Sequence, residues 1–139
     1  MDKLASIALK GALLLPSIAC RLGLPCVIVR KAEKSYGATG RIAGGRVCED
    51  EHIVFFDDVI TDGASKIEGL RPLEELGACV ETLIVVVDRE QGGKENIERI
   101  GYKFHAIARV SELAKCLLSS SHISKEQTDA VLKYIERRP

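Results

Sequence analysis

Short apolar runs punctuate the chain at residues 4–9, 26–29, 53–56, 80–87 and 104–110. They are bounded by glycine, proline or charged residues and read as strands, with 53–56 apolar enough to be buried on both faces. Between them lie helical patterns. Leu13 to Leu22 reads as a helix stopped by Gly23, with Pro25 just beyond and Pro16 tolerated near its start. Ile67, Leu70, Leu73 and Leu76 mark a second helix over 65–76. A short one over 94–100 ends at Gly101, and another opens at Ser111 and runs to about Leu118. Ser124 with Gln127 forms a capping box, starting a helix through Val131, Leu132 and Ile135.

Strands alternating with helices predict an α/β fold of Rossmann-like type. Its central sheet is mostly parallel, has helices on both faces and makes right-handed crossovers. Residues 1–139 form a single domain, with a C-terminal helical segment at about 111–138. One stretch follows neither period. Residues 30–46 hold Arg30, Lys31, Lys34, Arg41 and Arg46 together with Gly37, Gly40, Gly44 and Gly45. Charge and glycine without apolar spacing predict a long mobile loop over about 31–46, and loops of that length are usually functional.

Composition narrows the partners. Twenty basic and twenty acidic residues cancel, so nothing points to nucleic acid or an acidic membrane surface. The apolar stretch 4–24 is broken by Lys10, Gly11, Pro16 and Arg21, which excludes a membrane span. Cys20, Cys26, Cys48, Cys79 and Cys116 are scattered and make no Cys-x-x-Cys, so a zinc site is not expected. Cys26 and Cys79 read as small buried hydrophobes, and the expected compartment is the reducing cytoplasm. His52, His105 and His122 have no catalytic spacing and receive no role.

The chemistry gathers in residues 53–65. After the strand come Asp57 and Asp58, then Val59 and Ile60, then the turn Thr61-Asp62-Gly63-Ala64-Ser65 before a helix. A strand, a turn of free N–H groups and a helix N-terminus make an anion site, to which Thr61 and Ser65 add hydroxyls. The paired carboxylates just upstream suit a vicinal diol. Phosphate on one side and a diol on the other describe a ribose 5-phosphate. The plainer alternative is a buried strand ending in a solvated turn. Asp62 is expected to point from the turn tip into solvent.

This stretch resembles the phosphoribosyl pyrophosphate (PRPP) signature of the type I phosphoribosyltransferases, and Asp-Asp-Val-Ile-Thr is most like the orotate branch. Ala8-Leu9-Lys10-Gly11 is similar to that branch's pyrophosphate-contacting loop, although a solvated lysine before a helix would look the same. Arg30-Lys31-Ala32-Glu33-Lys34-Ser35-Tyr36-Gly37 resembles the loop that closes over PRPP, with a solvated hairpin as the alternative. Asp88-Arg89-Glu90-Gln91-Gly92-Gly93 resembles the element whose arginine meets the pyrimidine carboxylate; a structural salt bridge competes with that role.

The resemblance implies a PRPP site built from Lys10, Arg30, Lys31, Lys34, Tyr36 and residues Asp57, Asp58, Val59, Ile60, Thr61, Asp62, Gly63, Ala64 and Ser65. It implies catalytic roles for Lys34, Asp57 and Asp58, and orotate contacts from Thr61 and Arg89. Mg²⁺ would arrive with the pyrophosphate, touching Asp57 and Asp58 through waters, with no metal ligand set of the protein's own. A homodimer sharing the 31–46 loop between subunits is also implied. The expected activity is transfer of phosphoribose from PRPP to orotate, giving orotidine 5′-phosphate and pyrophosphate. The alternatives are a PRPP- or nucleotide-binding regulator without turnover, or an enzyme for another nucleobase. Full-length orotate enzymes carry a further N-terminal segment that helps form a hood over the base. This sequence starts almost at the first core strand, so that segment is expected to be absent.

Overall fold

The structure, a computed structural model, describes residues 1–34 and 40–136, with backbone only at 33 and 34. Strand β1 (Lys3–Ile7) is buried at all five positions and lies in the middle of the sheet. Helix α1 (Lys10–Leu22) carries the chain over one face to β2 (Cys26–Lys34), which turns back through β3 (Gly40–Ala43). Then follow β4 (His52–Ile60), α2 (Ala64–Glu74), β5 (Cys79–Asp88), α3 (Gly93–Arg99) and β6 (Lys103–Arg109). Helices α4 (Val110–Ser119) and α5 (Lys125–Glu136) complete the described chain.

The sheet order is β3-β2-β1-β4-β5-β6. All neighbours are parallel except β2 and β3. The central strands alternate their side chains between two apolar layers, as the pleat requires. One layer packs Ala5, Ile7, Val29, Phe55 and Val85 against Leu70 and Leu73 of α2 and Ile97 of α3. The other packs Leu4 and Phe56 against Leu15 and Ala19 of α1. Helices therefore cover both faces, as expected.

The predicted helix ends hold where the chemistry of the cap is explicit. Gly23 takes φ 66° at the end of α1, and the Leu24 N–H reaches back to the Ala19 carbonyl at 3.0 Å. At the start of α5 the capping box closes in both directions: Gln127 N–H to Ser124 Oγ at 3.2 Å, Ser124 N–H to Gln127 Oε1 at 2.8 Å. Among the described residues no helix is long and apolar enough to cross a membrane. The five cysteines are free, and Cys26 and Cys79 are only half-buried.

Three expectations need correction. Lys10 and Gly11 do not end the first strand; they form the first turn of α1, which starts three residues earlier than the apolar pattern suggests. Asp57 and Asp58 lie within β4, which continues through Val59 and Ile60 beside β5. Within the predicted loop over 31–46, two described stretches are paired strand: β2 runs on to Lys34, and β3 pairs antiparallel with it, Val29 opposite Ile42 and Lys34 opposite Gly40. Side chains help join the two strands, Arg30 Nη1 donating to the Gly40 carbonyl at 3.2 Å and Arg41 Nε to the Arg30 carbonyl at 3.3 Å. Residues 35–39 of that loop lie outside the described residues.

Candidate functional site

The chain winds outward from β1 in two directions, to β2 on one side and to β4, β5 and β6 on the other. At such a reversal the connections leaving two adjacent strand ends diverge and open a crevice. Here it is a cavity of about 410 Å³, a size that suits a small ligand. Ile7, Ala8, Leu9 and Lys10 form one wall, and the Ala8–Leu9 peptide is cis. Lys31 enters from β2, Asp57, Asp58 and Val59 from β4, and Thr61, Ser65 and Lys66 from the turn and start of α2.

The cavity thus gathers Lys10, Lys31, Asp57, Asp58, Val59, Thr61 and Ser65 of the residues singled out from the sequence. Others stand apart from its wall. Ile60 is fully buried in the core, and Arg30 bonds into the hairpin. The Lys34 side chain and Tyr36 lie outside the described residues. Arg89, at the end of β5, turns toward α5: its guanidinium carbon sits 5.8 Å from the Tyr134 ring centroid, and Nη2 donates to the Tyr134 hydroxyl at 3.4 Å. A bond to Gln91 and the adjacent Arg89 charge hold the Tyr134 phenol below its usual range.

The two carboxylates differ sharply. Asp57 is 1% exposed and accepts a bond from the Lys66 ammonium on Oδ2, while Oδ1 takes the Asp58 N–H at 2.9 Å. Burial pushes its carboxyl up, opposed by the hydrogen bond and charge of Lys66. Asp57 therefore forms the floor of the cavity with one bond on each oxygen, whereas the Asp58 carboxylate is less buried, so the two acids of the pair stand in different surroundings. Gly11 explains the tight floor: a Cβ there would overlap Asp57 Oδ1 and Ser6 Oγ. Ser6 Oγ is buried and has no hydrogen-bond partner among the described residues.

The turn after β4 is compact. Gly63 adopts φ 87°, which a side chain resists, and its carbonyl takes the N–H groups of Lys66 and Ile67 at 3.0 and 3.1 Å. Asp62 does not simply point into solvent. Although exposed, its Oδ1 accepts the Ala64 N–H at 3.1 Å and lies 3.4 Å from Thr61 Oγ1, an aspartate folded onto the backbone two residues on. The Ala64 amide, the first of the helix, is thus already taken by a carboxylate.

Helix α3 braces the turn from the side. Asn96 Nδ2 donates to the Asp62 carbonyl at 2.8 Å, and Gly93 packs so closely that a Cβ would stand 2.5 Å from the Thr61 carbonyl oxygen. Sequence reasoning missed Lys66, Asn96, Ser6 and the packing role of Gly11. Only Lys66 left a signal: it occupies the buried stripe of α2 with Gly69, Leu70 and Leu73, where an unpaired lysine is costly.

No family model matches the chain. Its sequence is 39% identical over 127 residues to an orotate phosphoribosyltransferase of Pyrococcus horikoshii, covering 91% of this chain and 66% of that protein. Among solved structures, UMP synthase of Leishmania donovani superposes with a TM-score of 0.87 at 24% identity, over 98% of this chain and 29% of that one. Orotate phosphoribosyltransferase from Aeropyrum pernix gives 0.71 at 27% identity, over 87% of this chain and 65% of that one. The chain thus spans slightly under two thirds of the length of the Pyrococcus and Aeropyrum proteins. With the strand order, the acidic pair and the turn before α2, these likenesses show that the chain belongs to the type I phosphoribosyltransferase family, alongside its orotate members.

Proposed function

We propose that this domain binds PRPP and transfers its phosphoribosyl group to orotate, yielding orotidine 5′-phosphate and pyrophosphate. The observation that carries this reading is the cavity at the β1/β4 reversal, where ammonium groups, hydroxyls and one open carboxylate converge. Thr61, Ser65 and the amides opening α2 take the 5′-phosphate, after it displaces Asp62 from the Ala64 N–H. Asp58 accepts from the ribose hydroxyls. Lys10 and Lys31 face the pyrophosphate, joined by Arg30, Lys34 and Tyr36 as the resemblance implies.

In the reaction the bond from the anomeric carbon to pyrophosphate breaks as a ring nitrogen of the base bonds to that carbon. Negative charge grows on the leaving group, so fixed ammonium groups stabilise the transition state more than the ground state. Asp58 lies where positive charge develops on the sugar ring. Asp58 and the edge of Asp57 would hold, through waters, a Mg²⁺ carried by PRPP, which would offset the charge growing on the pyrophosphate. Arg89 takes the orotate carboxylate, exchanging its contact with Tyr134 for a bidentate one, and Thr61 borders the base. A cytoplasmic homodimer with the 31–46 segment shared between copies completes the proposal.

Purified protein with PRPP, Mg²⁺ and orotate provides the test, read as loss of orotate absorbance and formation of pyrophosphate. Turnover supports the reading. PRPP binding without orotate consumption identifies a regulator or an enzyme for another base, and absence of PRPP binding refutes the site.

A further inference from the structure

Lys66 is 7% exposed, Asp57 1%, and the ammonium of one bonds the carboxylate of the other beneath the cavity. A buried ion pair is a weak source of stability, because desolvating two charges offsets their attraction. Its connections say more about its role. Asp57 Oδ1 holds the Asp58 N–H at 2.9 Å and presses on Gly11, while Oδ2 holds Lys66. One carboxylate thereby ties together the first turn of α1, the start of α2 and the backbone of the residue that carries the open carboxylate. Lys66 also cancels the charge of Asp57. Without it, a buried anion would lie under a cavity that must receive a polyanion.

We propose that Lys66 is a positioning residue: acting through Asp57, it fixes Asp58 and so sets the affinity of the cavity for the ribose hydroxyls of a ribosyl phosphate. The inference rests on the PRPP reading and deepens it. Pyrophosphate without Mg²⁺ has, on that reading, Lys10 and Lys31 to meet and no hydroxyl for Asp58 to hold, so comparing the two ligands separates positioning of the sugar site from general damage to the fold.

The experiment is calorimetric binding of PRPP and of pyrophosphate to wild type, Lys66→Met, Asp57→Asn and the double variant. Lys66→Met should weaken PRPP by about ten-fold or more, as an uncompensated buried charge is strongly unfavourable. Pyrophosphate should weaken several-fold less than PRPP, since it feels the uncompensated Asp57 charge but not the placement of Asp58. Asparagine keeps an acceptor for the Asp58 N–H without the charge, so the double variant should bind PRPP more tightly than either single one. Should Lys66→Met not fold, the comparison of Asp57→Asn with the double variant still decides. PRPP affinity unchanged in Lys66→Met, equal loss of both ligands, or a double variant no better than Asp57→Asn overturns the proposal. Wild-type protein that fails to bind PRPP overturns the functional reading itself, a separate result.

Discussion

Gly11→Ala probes how tightly the cavity floor is built. Residue 11 lies in the first turn of α1, where alanine gains at most about 1 kcal/mol of helix propensity over glycine. Against that gain, the new Cβ would overlap Asp57 Oδ1 and Ser6 Oγ and stand 3.0 Å from the Asp57 Cα. Neither neighbour is a loose end. Asp57 is bonded to Lys66 and to the Asp58 N–H, and its Cα belongs to β4, between β1 and β5 in the sheet. Overpacking costs about 1–3 kcal/mol, and losing a charged hydrogen bond adds about 1.5–3 kcal/mol. The balance is a loss of about 1.5–5 kcal/mol after the propensity gain. Urea unfolding of the two proteins, compared at equal m-value, measures it. A variant as stable as wild type, or more so, would refute the close approach as a packing constraint.

Four further perturbations address the site. Asp58→Asn should weaken PRPP binding by about 1.5–3 kcal/mol through loss of charge-assisted acceptance; near-unchanged calorimetric affinity would remove its diol role. Asp62→Ala should lower stability by about 1 kcal/mol, the worth of a lost cap, while tightening inorganic phosphate and PRPP. Phosphate binding that weakens or stays the same would show that the carboxylate does not compete. Arg89→Ala should raise KM for orotate by about ten-fold or more and leave PRPP affinity nearly constant; equal loss of both would assign Arg89 to the fold. Chelating Mg²⁺ should stop turnover without moving the unfolding midpoint of unliganded protein, because the ion travels with PRPP. A lowered midpoint would mean a resident metal.

The alternation of strand and helix was legible because the central parallel strands are buried on both faces over long apolar runs. The hairpin of β2 and β3 was not. It lies at the sheet edge, only a few of its residues face the core, and a run of charge and glycine there gives no apolar period by which a paired strand could be told from a loop. Gly11 misled for a related reason: glycine reads as a breaker, whereas here it stays helical and lets a carboxylate approach. The acidic pair and the turn were found from local spacing. The different surroundings of Asp57 and Asp58 were hidden because they depend on Lys66, nine residues beyond Asp57, and on Ser6 and Gly11 from other elements. Arg89 was placed correctly at a strand end, but its contact with Tyr134 depends on how α5 docks.

The brace supplied by α3 has a consequence for how such a domain changes its preference for a base. Gly93 and Asn96 grip the turn after β4, and the Arg89 N–H bonds the Ile60 carbonyl at 3.0 Å, so the ends of β4 and β5 form one rigid shelf. Remodelling the backbone on the β5 side would drag the turn after β4 with it and, on the proposed reading, blunt its hold on the donor sugar phosphate. If Arg89 meets the base as proposed, altered base selectivity is therefore cheapest to acquire in side chains beyond the end of β5, Arg89 foremost, with the shelf left untouched.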